Sequence, residues 1–350
     1  MYIINDTHLG VTRQAGTTPV SQAALTEYVH ERFLGLLPNS DLATLVINGD
    51  LFDGFTVDPK EVLWAYQVLA DWLDAGDGAQ TLHLVAGNHD WSPKADRLSS
   101  FHMLAELLCH RYPDWQVKVH DHTQGYAHIA GEVWAIPHMP NQDQFDIELK
   151  KALAGAGGKY LLLHANYNNN FAAESDHSLN VSEAQAKELI AAGWHLIFAH
   201  EHQQREPMTG VTVIGNQFPT SVADCLRNGT KRILEIATGE LFSHTTWSAD
   251  EFLDLDWREV SDENLDMYRF IRVSGNATAA EAEAAVNTVA AVRKRATAFV
   301  VSNAIRVEGL AEMDQLMSLS LEDVQSYDVL GALCDELTPE EAKVVRELLA

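Results

Sequence analysis

The sequence predicts a layered α/β fold, and three observations predict it. Through the first 250 residues short apolar runs alternate with amphipathic stretches, the apolar runs end on polar residues, and none approaches the ~18–20 residues of a membrane span. Strands that are apolar throughout are buried on both faces, and strands alternating with helices stack as sheet and helix layers.

The elements follow in order. YIIN (2–5) reads as a strand, 21–37 as a helix, ATLVIN (43–48) as a strand and 59–75 as a helix. TLHLVAG (81–87) is the next strand and 98–111 the next helix, followed by strands VWAIP (133–137) and KYLLLH (159–164). The helix over 182–193 opens with Ser182 and Gln185 at capping-box spacing, and strands HLIFAH (195–200) and VTVIG (211–215) come after it. Residues 248–262, SADEFLDLDWREVSD, are acidic and break the pattern. YRFIRVS, TAAEAEAAVNTVAAVRKR and ATAFVVS then read as strand, Ala-rich helix and strand of a small second domain. From about 308 come three short helical pieces, the last opening with an N-cap, a first-turn Pro and a capping-box Glu in Thr338-Pro339-Glu340-Glu341. The expected division is 1–250, 251–305 and 306–350.

The hydrophobic content of 46% suffices for a core, whereas 24 basic against 50 acidic residues give a net charge of −26. That charge opposes long-range attraction of nucleic acid or anionic membranes, so a polyanionic substrate needs a local counter-charge, which a bound metal supplies. Met1 is followed by Tyr2, Ile3 and Ile4 with no basic segment before them, and a soluble cytoplasmic protein is expected. Cys109, Cys225 and Cys334 lack CxxC spacing and read as packing thiols.

The chemistry collects at the strand ends: Asn5-Asp6-Thr7-His8-Leu9-Gly10, Gly49-Asp50-Leu51-Phe52-Asp53, Gly87-Asn88-His89-Asp90, His164 and His200-Glu201-His202. Groups beyond the carboxyl ends of such strands converge on one edge. Mixed oxygen and imidazole donors without thiolates suit Mn²⁺ or Fe²⁺, and so many donors suit two ions bridged by one carboxylate. In an extended chain Asp6 and His8 turn to one side, as do His200 and His202, with Glu201 pointing away. Gly49 and Gly87 let the chain turn where a Cβ would crowd the ions. Asn88 is expected to ligate through its amide oxygen, His89 to act beyond the ligand shell as the catalytic acid, and Asp53 and Asp90 to orient the imidazoles.

These motifs together resemble the calcineurin-like metallophosphoesterases, over roughly residues 1–245 and in that family's order. The resemblance implies a two-sheet α/β sandwich flanked by helices, with two divalent ions, Mn²⁺ first and Fe²⁺ or Mg²⁺ as alternatives. It makes Asp6, His8 and His202 ligands of one ion, Asn88, His164 and His200 ligands of the other, and Asp50 the bridge. Ala199 stands where the family usually has Gly before His-x-His.

Asp-x-His-Leu-Gly with Gly-Asp-Leu-Phe-Asp is similar to the SbcD-type DNA repair and recombination nucleases, bacteriophage subunits included. The protein phosphatase branch instead expects Arg-Gly where Gly54-Phe55 stands. Residues 213–236 and the strand-helix-strand of 268–304 resemble, more loosely, the following segment and the DNA-contacting cap of those nucleases. That branch implies a DNA phosphodiesterase, an SbcC-like ATPase partner and a homodimer, without a membrane. A phosphoesterase of nucleotides or small phosphodiesters, and a catalytically spent module that docks an ATPase, are the rival readings.

The Asn-rich loop 166–171 reads first as a solvated loop and second as one whose Tyr167 or Phe171 stacks a base, and Arg293-Lys294-Arg295 could meet a DNA backbone or complement a helix dipole. The other eleven histidines, His83 among them, read as surface or core residues, with His138 of IPHMP set apart because the family this sequence resembles often has a substrate-facing loop there. Residues 308–350 carry eleven acidic and two basic residues with apolar positions at helical intervals, a surface expected to cover this protein or an ATPase partner.

Overall fold

The computed structural model describes residues 1–307 except 13–18, 40–42, 77, 92–96, 156–157, 170–177, 227–229, 262–264, 266 and 295–299. The tail and its helices, Cys334, Phe171 and Arg295 lie outside the described residues.

Two six-stranded sheets form the body of the molecule. In the first, β1 (Tyr2–Ile4), β2 (Thr44–Asn48), β3 (Thr81–Val85) and β4 (Val117–His120) run parallel in that order. On the far side of β1 the sheet continues antiparallel through β13 (Thr230–Ala237) and β14 (Glu240–Ser248). The second sheet is ordered β11 (Arg205–Met208), β12 (Val211–Val213), β10 (His195–Ala199), β7 (Tyr160–His164), β6 (Val133–Ile136), β5 (Ala127–Ala130). Its inner four strands are parallel and both edges antiparallel. A two-stranded ladder of β8 (Asn166–Tyr167) and β9 (Asn180–Val181) stands beside it.

Strand alternation sorts the side chains into three layers. Ile3, Val46 and Val85 face Leu162, Ile197 and Ile214 between the sheets. Their neighbours Ile4, Leu45, Ile47, Leu82 and Leu84 face outward beneath α1 (Pro19–Leu36), α2 (Pro59–Ala75) and α3 (Ser100–Arg111). Leu161, Leu163, Leu196 and Phe198 do the same for α4 (Gln142–Ala154) and α5 (Glu183–Ala191). Both faces are buried, as continuous apolar runs require.

One polar pair interrupts the layer between the sheets. His83 on β3 stands in register with inward-facing Val46, and its Nδ1 lies 3.1 Å from Nε2 of His120 on β4. The rings are stacked at 5.3 Å and only 3% and 4% exposed.

Local signals explain the helix ends. Asp58 caps α2 through the Lys60 N–H with Pro59 at the first position, and Ser182 and Gln185 close the expected capping box of α5. Helix α4 escapes a reading by hydropathy because its buried apolar stripe is only Phe145, Leu149 and Ala152, with Glu148 buried beside them amid polar residues. Strand β14 escapes it because an edge strand, largely exposed, needs little apolar alternation.

After the short α6 (Val222–Cys225) and the β13–β14 hairpin, a third sheet of three parallel strands begins. Its strands are β15 (Phe252–Asp256), β16 (Phe270–Ala277) and β17 (Val300–Val307), with α7 (Ala282–Arg293) crossing between the last two. Leu255, Ile271, Val273, Val289 and Val292 form its own core. Phe270 instead joins the main core and meets Tyr28 edge-on at 5.6 Å. The acidic stretch 248–262 is thus no break. It supplies β15, whose Asp254 pairs with Arg272 at 2.7 Å, so charge sits on the open face while Leu255 packs inward.

Arg293 ends α7 and Lys294 caps it. No helix among the described residues is long and apolar enough to cross a membrane.

Candidate metal centre

The strand ends reach the same edge, by turns rather than extension. Asp6 and His8 both have φ 48, Asp50 has φ 50 and His200 has φ 80, a left-handed backbone that costs on the order of 1–3 kcal/mol at a non-glycine residue. Asp6 and His8 share a side because each sits in a left-handed turn, which corrects the expectation of an extended chain. Cross-loop hydrogen bonds hold those turns: Asp6 N–H to the Gly49 carbonyl (3.0 Å), His8 N–H to Asp50 (3.1 Å) and Leu9 N–H to Leu51 (2.8 Å).

The glycines make room for the ligands. A Cβ on Gly49 would stand 2.0 Å from His164 Nδ1, and one on Gly87 would stand 2.2 Å from Asp50 Oδ1.

Among the described residues, three groups of donor atoms cluster within 4.8 Å of one another: Asp6, His8 and His202; His8, Asp50 and His89; Asp50, His164 and His200. They share members, so they form one chain of donors with Asp50 and His8 at the joints. Asn88 Oδ1 lies 3.0 Å from His164 Nε2 and 2.9 Å from His200 Nδ1. His8 Nε2 is 3.0 Å from His202 Nε2. All seven expected ligands therefore lie at one edge.

The donors fit divalent cations. Nitrogens 3.0 Å apart have the spacing of neighbouring ligands on an octahedral ion with bonds of ~2.1 Å. Asp6 Oδ1 is buried without a hydrogen-bond partner among the described residues. Burial lowers the pKa of His8 to about 3, with His202 adding to the effect, so its ring keeps a lone pair to give. Burial alone would lower His164 and raise Asp50, but each holds the other charged: His164 rises to about 10 and Asp50 falls well below the carboxylate range. A cation would replace the proton that this pair retains.

Neighbouring backbone carbonyls and a carboxylate aim the donors. His164 Nδ1 donates to the Asn48 carbonyl (3.0 Å), which leaves Nε2 for the centre. His89 Nδ1 likewise donates to the Asp53 carbonyl (2.6 Å), so Nε2 faces inward, 3.9 Å from Asp50 Oδ2. The Asp53 carboxylate stands 3.5 Å from His8 Nδ1.

Asp90 orients backbone instead of an imidazole. Its Oδ2 accepts from the N–H groups of Gly87 (2.8 Å) and Asp50 (3.1 Å), fixing the bend of both loops. Burial and the Asp50 charge raise its pKa to about 7.

Glu201 turns away from the donors. It accepts from Tyr167 N–H (2.7 Å) and Arg205 Nε (3.0 Å), which anchors the His-x-His loop. Tyr167 is 5% exposed beneath the Arg205 guanidinium, so its ring is not an open platform for a base.

Two functional positions escaped the sequence reading. Asp224 Oδ1 is 2.9 Å from His202 Nδ1, and its other oxygen accepts from Thr220 and Ser221 N–H groups. Burial would raise Asp224, but the His202 imidazole holds it far below the usual range. Fully buried Lys231 on β13 donates to the His202 carbonyl (3.0 Å). The one signal for Asp224 was its capping-box spacing from Ser221.

An α/β sandwich with a chain of carboxylate, amide and imidazole donors at the shared edge of its sheets defines a metallohydrolase centre. The family model of the calcineurin-like phosphoesterases matches residues 1–235, and the chain belongs to that family. Its activity is therefore metal-dependent hydrolysis of phosphoesters. Comparison with curated proteins gives no match.

Proposed function

We propose that the protein is a DNA phosphodiesterase that uses two divalent ions, Mn²⁺ foremost, and serves as the nuclease subunit of an SbcC/SbcD-like complex. The observation that carries the reading is the run of donor groups joined at Asp50 and His8. Asp6, His8 and His202 would hold one ion, Asn88, His164 and His200 the other, with Asp50 between. Bound there, the ions supply positive charge for the phosphate oxygens and acidify a water.

The chain's own residues do the rest. His89, held through Nδ1, turns Nε2 toward the centre, where it can protonate the leaving oxygen. Asp224 fixes the His202 ring, Asn48 fixes His164, and Asp90 keeps the Asp50 turn in place. The Asp-x-His-Leu-Gly motif and the three-stranded sheet after residue 250 favour DNA as the substrate.

The test is Mn²⁺-dependent cleavage of linear duplex, single-stranded DNA and bis-p-nitrophenyl phosphate, with Asp50→Ala as the control. Cleavage of the small diester without either DNA would replace this reading by a small-molecule phosphodiesterase, which the −26 charge favours. Truncation after Arg306 should keep single-strand cleavage and remove co-purification with an SbcC-like ATPase. Unchanged capture of the ATPase would place its docking surface elsewhere.

A further inference from the structure

One side chain away from the ion donors lies an open cavity of about 350 Å³, within the ~300–1,000 Å³ of small-molecule sites, that neither ion binding nor proton transfer uses. Asp53 is the wall it shares with the centre, since that carboxylate stands 3.5 Å from His8 Nδ1 while the Asp53 carbonyl accepts from His89. Glu61 is a fixed wall: it is 4% exposed, its Oε2 lies 2.7 Å from His30 Nε2, and the His30 ring stacks on Trp64 at 3.6 Å. Thr12, Thr56, Asp58 and Lys60 line the remainder and are exposed, so their polar atoms can meet a ligand. Val57 adds an apolar patch, closed against Gly10, where an added Cβ would stand 3.0 Å from the Val57 Cβ.

We propose that this cavity is a sugar subsite, which seats the polyhydroxy alcohol esterified to a phosphate held at the donors. The proposal rests on the phosphodiesterase reading and names its substrate by the alcohol. Three carboxylates against one ammonium repel a second phosphate or any other anion. No aromatic ring lines the cavity among the described residues, so nothing there stacks a base. An alkyl group would strip water from carboxylates and hydroxyls without replacing it, and an amine would answer the carboxylates but not the Lys60 ammonium. A sugar answers both, because each of its hydroxyls donates to a carboxylate and accepts from Lys60 or a threonine. The sugar of a nucleotide and that of a free sugar phosphate share this chemistry.

The test is calorimetric titration of the full chain with Mn²⁺ saturating, using inorganic phosphate and the phosphonates of ribose, uridine, n-pentane and aminopentane, which resist hydrolysis. The ribose and uridine phosphonates should bind about tenfold more tightly than that of pentane, the worth of one or two added hydrogen bonds. Either of the two binding the tighter upholds the subsite and tells a nucleotide from a free sugar phosphate. Thr56→Val with Lys60→Met should bring the ribose phosphonate to the level of the pentane one, with Mn²⁺ and inorganic phosphate bound as in the parent. Thr56→Trp, which fills the cavity, should do the same. Equal binding of the ribose and pentane phosphonates in the parent, tightest binding of the aminopentane one, no binding of either sugar phosphonate, or a preference that survives both variants would overturn the subsite. Loss of Mn²⁺ binding in both variants would overturn it too, by marking this wall as a support of the centre. A sugar preference without hydrolysis of any diester would sink the phosphodiesterase reading and leave the subsite standing; hydrolysis without the preference would do the reverse.

Discussion

Replacing His83 and His120 together by Leu should flatten the fall of stability with acid. Burial is the largest cause that lowers both imidazoles, His83 to about 3 and His120 to about 4, with His120 and Lys118 adding for the first and Lys118 for the second. Asp121 pulls His120 the other way, and His128 opposes protonation of both. Above about pH 7 neither state carries these protons. As pH falls through 6.5 the unfolded chain takes them up first, so stability is lost from there down to the folded values. At pH 5 that is 1.5 units below the unfolded value, about 2 kcal/mol for one imidazole and up to about 4 for the pair. Domains of this kind are stable by only ~5–15 kcal/mol, so the effect is measurable. Urea denaturation from pH 8 to pH 5, with Mn²⁺ saturating, should show the parent losing that much more than the variant. Comparing slopes removes any uniform cost of the substitutions. Parallel slopes would refute the reasoning, and so would a steeper loss in the variant.

Three further outcomes follow from the centre. His89→Ala should retain Mn²⁺ affinity in calorimetry while turnover falls about 10²–10⁴-fold, the usual worth of a positioned acid; lost metal binding would make His89 a ligand. Asp224→Asn should weaken Mn²⁺ binding about 10–100-fold with the fold intact by circular dichroism, because His202 loses the carboxylate that sets its ring. Gly49→Ala should abolish hydrolysis and lower the melting temperature, since the added carbon overlaps His164 at a residue with φ 89; parent-like activity would show that the β2 loop yields.

The strands and their terminal donors were legible because each is a local pattern: an apolar run, then the chemistry, within about eight residues. The strained turns were not, since nothing in Asp6-Thr7-His8 marks left-handed backbone at non-glycine residues; they are imposed by hydrogen bonds from a loop more than forty residues away. Asp224 and Lys231 were illegible for a related reason, because their value lies in meeting His202 across the fold. Strand β15 hid behind its charges, which are half of an alternating pattern.

The place of β1 bears on how the molecule assembles. One neighbour of this first strand, β2, follows within about forty residues, but the other, β13, lies more than two hundred residues downstream, where Ile3 pairs with Leu234. Contacts of such sequence separation form late and slowly, because the chain must first close a long loop. Lys231 belongs to the same late strand and grips the His202 carbonyl. At a synthesis rate of ~5–20 residues per second, the loops bearing Asp6, Asp50 and Asn88 can be in place for some seven seconds or more before β13 arrives to seat His202. Refolding followed by Mn²⁺ uptake should therefore lag behind the recovery of helical signal, with the competent centre appearing as the final event rather than the nucleus.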